Sequence, residues 1–170
     1  MKIRVAILVL LALPVFAADE MRKLDFLVGD WKGEASISSG PGKGEQVLQT
    51  ETVRTKLGGK ALLIEGTGKR KLADGSAGEV VHDAVGMVWF DEAMKKYRFS
   101  AWTAARGYVD AWFEVQDNNA ARWGFDTPDG GKIRFTISLD EEGRWREVGE
   151  YSPDGNRWFK TMEMKLTKGK

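Results

Sequence analysis

Three closely spaced turn sequences constrain this chain most: Asp117-Asn118-Asn119, Thr127-Pro128-Asp129-Gly130-Gly131 and Asp140-Glu141-Glu142-Gly143-Arg144. Each sets residues that tolerate positive φ between runs rich in β-branched and aromatic side chains, which is the signature of a short hairpin loop. Three-residue loops then fix the register. They place Phe113 opposite Trp123, Trp123 opposite Phe135 and Phe125 opposite Ile133. They also place Phe135 opposite Gly149, Ile137 opposite Glu147 and Leu139 opposite Trp145. On the other face, opposite charges meet: Glu114 with Arg122, Asp126 with Lys132, and Arg134 with Glu150. Successive side chains of a strand point to opposite faces, so a slip of one residue would undo every one of these matches.

The same alternation extends beyond the hairpins. Short β-rich runs separated by Gly, Asp, Asn and Pro recur about every 8–12 residues. They predict about ten strands, near 30–39, 45–57, 60–71, 83–91, 96–103, 107–116, 120–127, 132–140, 144–151 and 158–168. Residues 39–44 and 73–78 read as hairpin loops. No internal repeat is present, and no amphipathic helices are available to cover a second sheet face. A sheet with one apolar face and no partner closes on itself, so the predicted class is all-β: a single antiparallel up-and-down barrel with a short N-terminal helix over 19–27. The last hairpin is ambiguous. A three-residue loop over Pro153-Asp154-Gly155 turns Phe159, Thr161 and Glu163 inward, whereas the hydrophobic pattern wants Met162, Met164 and Leu166 inside; the pattern is favoured.

With 170 residues, the chain suits one domain. The N-terminus reads as an export leader: Lys2 and Arg4, an apolar stretch from Val5 to Phe16 too short to span a bilayer, and small residues before a cut after Ala17 or Ala18. The predicted organisation is a cleaved signal peptide at 1–17 and a barrel domain at 18–170, with a periplasmic or secreted bacterial location. Losing Lys2 and Arg4 takes the net charge from +1 to −1, and no basic patch points to nucleic acid. No later stretch is apolar enough for stable membrane insertion. The absence of cysteine excludes disulfides, thiol catalysis and thiolate metal sites.

Few residues suggest chemistry. His82 is the only histidine, so no multi-histidine metal site exists; it reads as an exposed loop residue, a lone ligand or a base. Nucleophile-elbow, zincin, P-loop and dinucleotide-binding motifs are absent. Glu147 stands out because the register aims it into an aromatic interior, where a bare carboxylate is costly. It is expected to anchor a ligand's polar end, hold a cavity water or pair with Lys160. Glu65 carries the same ambiguity. Trp102, Tyr108 and Trp112 are predicted to face outward and offer a surface for a partner or a homodimer.

Several motifs carry a resemblance. Gly29-Asp30-Trp31-Lys32-Gly33 resembles the G-x-W opening of the calycin barrels, where the tryptophan closes one end of a lipocalin under a basic residue from the last strand. Trp31 matches that tryptophan, with Lys168 or Lys165 in the basic role. Residues 24–31, 63–68, 107–111, 123–125, 132–137 and 149–155 together resemble a bacterial, often exported family of unknown function. That resemblance implies a lipocalin-like barrel and supplies no activity. The nitrobindin barrels open similarly and hold haem through a C-terminal histidine; residues 144–170 contain none, so no cofactor is expected.

The sequence therefore predicts an exported protein that binds a small hydrophobic or amphipathic molecule. Phe99, Phe113, Trp123, Phe135 and Tyr151 would form the walls, Glu147 the polar anchor and Trp31 the barrel closure, with no catalytic residue or metal. The alternative is an interaction module with a filled barrel and an exposed aromatic face, followed by a small-molecule hydrolase or isomerase.

Overall fold

The structure, a computed structural model, describes residues 16–40, 43–105 and 107–169. The predicted leader falls almost wholly outside these residues. Ten strands form one closed antiparallel sheet: β1 (Gly29–Gly40), β2 (Lys43–Lys56), β3 (Ala61–Lys71), β4 (Ala77–Asp91), β5 (Lys96–Thr103), β6 (Gly107–Gln116), β7 (Ala120–Asp126), β8 (Lys132–Leu139), β9 (Trp145–Ser152) and β10 (Phe159–Lys168). Each strand pairs with its neighbours in the chain, and β1 pairs with β10 to close the barrel. The fold class is the predicted one.

The three central hairpins take the predicted register in full, with Phe113↔Trp123, Trp123↔Phe135, Phe135↔Gly149 and Ile137↔Glu147 among the pairs. Their loops behave as their residues require. Gly130 and Gly143 adopt φ of 86° and 71°, and Asn118 and Asn119 adopt 60° and 55°. The outer face carries the ion pairs Lys132–Asp126 at 2.9 Å and Arg134–Glu150 at 2.7 Å. Glu114 and Arg122 face each other without bonding, and Arg122 Nε is buried with no partner among the described residues.

Two expectations are corrected. The N-terminal helix α1 spans Phe16–Arg22, and Asp25–Leu27 is a separate 3-10 turn, so the predicted helix over 19–27 is two pieces. Strand β4 starts six residues earlier than predicted, at Ala77, and takes in His82. The last hairpin takes the favoured pattern, with the Met-Met-Leu set inside and a loop longer than three residues. Phe159 pairs with Tyr151, then the register shifts between Lys160 and Met162, and Met162, Met164 and Leu166 pair with Gly149, Glu147 and Trp145. The bulge adds one residue to β10, which switches the inward face onto the Met-Met-Leu set.

One end of the barrel is plugged. Met21, Leu24 and Leu27 from α1 and the 3-10 turn are buried against Trp31, Val53, Leu62, Val88, Phe113, Trp145 and Leu166. The Tyr97 hydroxyl hydrogen-bonds the Glu20 carbonyl at 2.9 Å and its carboxylate at 3.0 Å, tying α1 to β5. Trp31 lies edge-on to Trp145, with ring centroids 5.6 Å apart, and donates its Nε1–H to the Leu27 carbonyl at 2.8 Å. The Lys168 ammonium sits 5.0 Å from the Trp31 ring. Gly29 makes this possible: its φ is +142°, and a Cβ there would lie 2.4 Å from Lys168 Cε.

Candidate functional site

The opposite half of the barrel is built by the same alternation but filled differently. Ala101, Val109, Trp123, Phe125, Ile133, Phe135, Tyr151 and Met162 all share the inward face, yet each stays partly exposed. Side chains that point into a barrel and still touch solvent are reached through its end or across a gap inside it, and we call this half of the barrel the cup. Its aromatic wall is ordered. Trp123 stacks on Phe135 with centroids 4.1 Å apart, and Phe99 meets Trp123 edge-on at 5.0 Å. Gly149 admits Phe135, since a Cβ on it would lie 2.7 Å from the ring.

Two carboxylates lie where cup and plug meet. Glu147 is one inward step from Trp145 on β9, and Glu51 is one inward step from Val53 on β2. They are 6% and 8% exposed. Glu147 accepts two indole N–H bonds, from Trp123 to Oε1 and from Trp145 to Oε2, both at 3.2 Å. Glu51 Oε1 accepts the Gln49 amide at 2.8 Å, and among the described residues no donor reaches Oε2. Gly66 leaves the room Glu51 occupies, since a Cβ there would sit 2.7 Å from both carboxylate oxygens.

Neither carboxylate has a cationic partner among the described residues. Lys160, one of the expected partners of Glu147, instead pairs with Glu163 at 2.6 Å. Burial therefore pushes the Glu147 carboxyl up to about 8, with the nearby Glu51 charge adding to the rise and the two indoles opposing it. Burial likewise pushes Glu51 up to about 7, against the Gln49 amide. Around neutrality the pair retains protons, so it can both accept and donate hydrogen bonds.

The predicted site residues divide between the two halves. Trp123, Phe135 and Tyr151 line the cup, Phe99 and Phe113 are buried in its wall, and Glu147 lies on its floor. Trp31 belongs to the plug. Glu65 is exposed on β3 and plays no part in the interior. His82 is half-buried on β4 opposite Gly68, not an exposed loop residue. Glu51 and Gln49 are not among the expected site residues. Their signal is present, because Val47-x-Gln49-x-Glu51-x-Val53 puts two polar residues on an inward face bounded by valines.

Two concavities lie elsewhere. A groove of about 900 Å³ runs along the outer wall beside Lys32, Glu34, Leu48, Thr50, Thr67 and Lys69, and a hollow of about 200 Å³ lies beside α1. Neither is lined by Glu51 or Glu147. Within the outer groove, Glu34 is already paired with Lys71 at 2.6 Å, whereas the interior holds carboxylates with no counter-charge. Outside the barrel, Val85, Trp102 and Tyr108 form one exposed cross-strand row, and Trp112 is exposed two outward positions further along β6, between Arg98 and Gly124. The described residues contain no group of His, Asp and Glu able to hold a metal ion, and no described helix is long and apolar enough to cross a membrane.

These features define a closed ten-stranded antiparallel barrel, plugged at one end by α1 and the 3-10 turn. No protein-family model matches the chain, and no curated protein does. The barrel is similar to that in the crystal structure of Rv2717c from M. tuberculosis. The TM-score is 0.63 and the identity 11%, covering 88% of this chain and 97% of that one. At that identity the likeness establishes the fold alone.

Proposed function

We propose that this is an exported, periplasmic or secreted binding protein that holds a small hydrophobic or amphipathic molecule in the cup. One observation carries the reading: aromatic side chains face inward, stay partly exposed and stand over two buried carboxylates. Small-molecule sites are mostly apolar with a few placed polar groups, and the cup has that composition. Phe99, Phe113, Trp123, Phe135 and Tyr151 form the wall and Glu147 the polar anchor. Trp31 closes the far end, and its setting between Gly29 and Lys168 fits the calycin-type, lipocalin-like resemblance. The leader at 1–17 supports export.

Native mass spectrometry of protein recovered from its own periplasm tests the reading, with Glu147→Gln and Phe135→Trp alongside. A retained small molecule, lost or weakened in both variants, is the expected result. A clean protein mass that takes up nothing from a panel of lipid-like compounds would overturn it. That result would favour the second reading, an interaction module or homodimer using Trp102, Tyr108 and Trp112. The observation behind that alternative is their exposure, 50%, 56% and 42% respectively.

A further inference from the structure

We propose that the Glu51–Glu147 pair selects ligands whose polar end is an amine, carried as an ammonium group on a hydrophobic body. The inference deepens the lumen-binding reading and rests on it. Its basis is an imbalance of charge and donors at the floor of the cup. Two carboxylates are buried there, from strands β2 and β9, which β1 and β10 separate around the barrel. The residues paired with Glu51 across the sheet are Trp31 and Gly66, and those paired with Glu147 are Ile137 and Met164. None is charged.

The donors are also too few. Two indoles and one amide supply three hydrogen bonds, and Glu51 Oε2 receives none among the described residues. A buried carboxylate without a counter-charge is relieved most by a cation that also donates hydrogen bonds. An ammonium brings a positive charge and several N–H donors. A hard metal ion wants six or more oxygen ligands, and the indole-rich floor does not offer them. A fatty acid would bring a further carboxylate to a site where burial already disfavours negative charge. A neutral alcohol would satisfy one oxygen and leave the charge unbalanced.

The protonation balance follows. Near neutral pH the empty pair retains protons that keep the carboxylates from repelling each other. An entering ammonium stabilises the doubly ionised pair, so about one proton leaves to solvent for each amine bound. An alcohol causes no such release.

The test titrates octylamine, octan-1-ol and octanoate into the protein, following tryptophan fluorescence and heat in two buffers of different ionisation enthalpy. Octylamine should bind about ten-fold more tightly than octanol or better. Its heat should depend on the buffer in the sense of proton release, and octanol's should not. In the Glu51→Gln/Glu147→Gln double variant, octanol should bind as before while the amine loses its advantage. Octylamine binding no tighter than octanol, or an advantage kept in the double variant, would overturn the amine assignment and leave the binding reading standing. Tightest binding of octanoate would do the same. If none of the three binds, both readings fail together. The wild-type comparison needs no variant to fold.

Discussion

The two ends of this barrel are built from the same strands and the same alternation, yet one is a core and the other a cup. At the plugged end, α1 and the 3-10 turn bring Met21, Leu24 and Leu27 inward, and Trp31, Trp145, Leu62 and Leu166 are buried around them. At the other end no chain element of the described residues enters, and Phe125, Ile133, Phe135 and Tyr151 keep part of their surface wet. Inward direction alone therefore does not make a core. A barrel's interior becomes solid only where a second element supplies the side chains that its curvature cannot.

The contrast predicts unequal costs of truncation. Trp145→Ala should destabilise the protein by about 4 kcal/mol and Phe135→Ala by roughly 2 kcal/mol, both read from urea unfolding. Equal losses would mean that the cup is as tightly packed as the plug. A slightly smaller effect should come from pH. Both carboxyls lie above the ordinary value of 4.5, Glu51 at about 7 and Glu147 at about 8. The folded state then binds more protons than the unfolded one, so stability is greatest below pH 4.5, falls as pH rises through 7 and 8, and levels off above. At about 1.4 kcal/mol for each tenfold gain in proton affinity the full shifts would amount to ~8 kcal/mol, and with water entry and relaxation absorbing most of that the combined loss should be roughly 3 kcal/mol. Thermal unfolding across that range should show the slope, and Glu147→Gln should flatten most of it. A flat wild-type profile would show that the carboxylates are wetter than their burial implies.

Gly29→Ala strikes the plug without touching the cup. With φ at +142° and Lys168 against the missing Cβ, it should cost about 1–2 kcal/mol, while octanol binding stays unchanged. A change in binding of the same size would show that the two ends are coupled. The smallest effect belongs to the outer wall, where Trp102→Ser and Tyr108→Ser should shift stability by less than about 0.5 kcal/mol. A larger loss that depends on protein concentration, seen by analytical ultracentrifugation, would mark that face as a contact between copies.

Legibility in the sequence follows turn chemistry. From Gly107 to Ser152 the loops have defined lengths, so the register is readable and carries Glu147 to its place opposite Ile137. Glu51 is harder to place. The Gly-rich run before β2 matches no turn sequence of defined length, and Gln49-Thr50-Glu51-Thr52 looks polar on both faces. The glycines opposite are the informative residues. Gly66 and Gly68 lack side chains on the face where Glu51 and Gln49 need volume. The bulge at Thr161 is unreadable for a different reason. The turn residues suggest a three-residue loop, whereas Phe159 pairs with Tyr151 across a longer one, and the inserted residue then sets Met162, Met164 and Leu166 inside.

The seam between β1 and β10 has a kinetic consequence. Trp31 meets Lys168 across it, so the contact that closes the barrel joins residues from near the two ends of the chain. Every other strand pairing is local, and hairpins form as soon as their two strands exist. Closure must wait for the final strand and bears the largest loop entropy of any step. Until β10 arrives, β1 and the last completed strand present bare edges, and the chain is an open sheet. A polypeptide of this design withholds its finished shape until synthesis has reached its last strand.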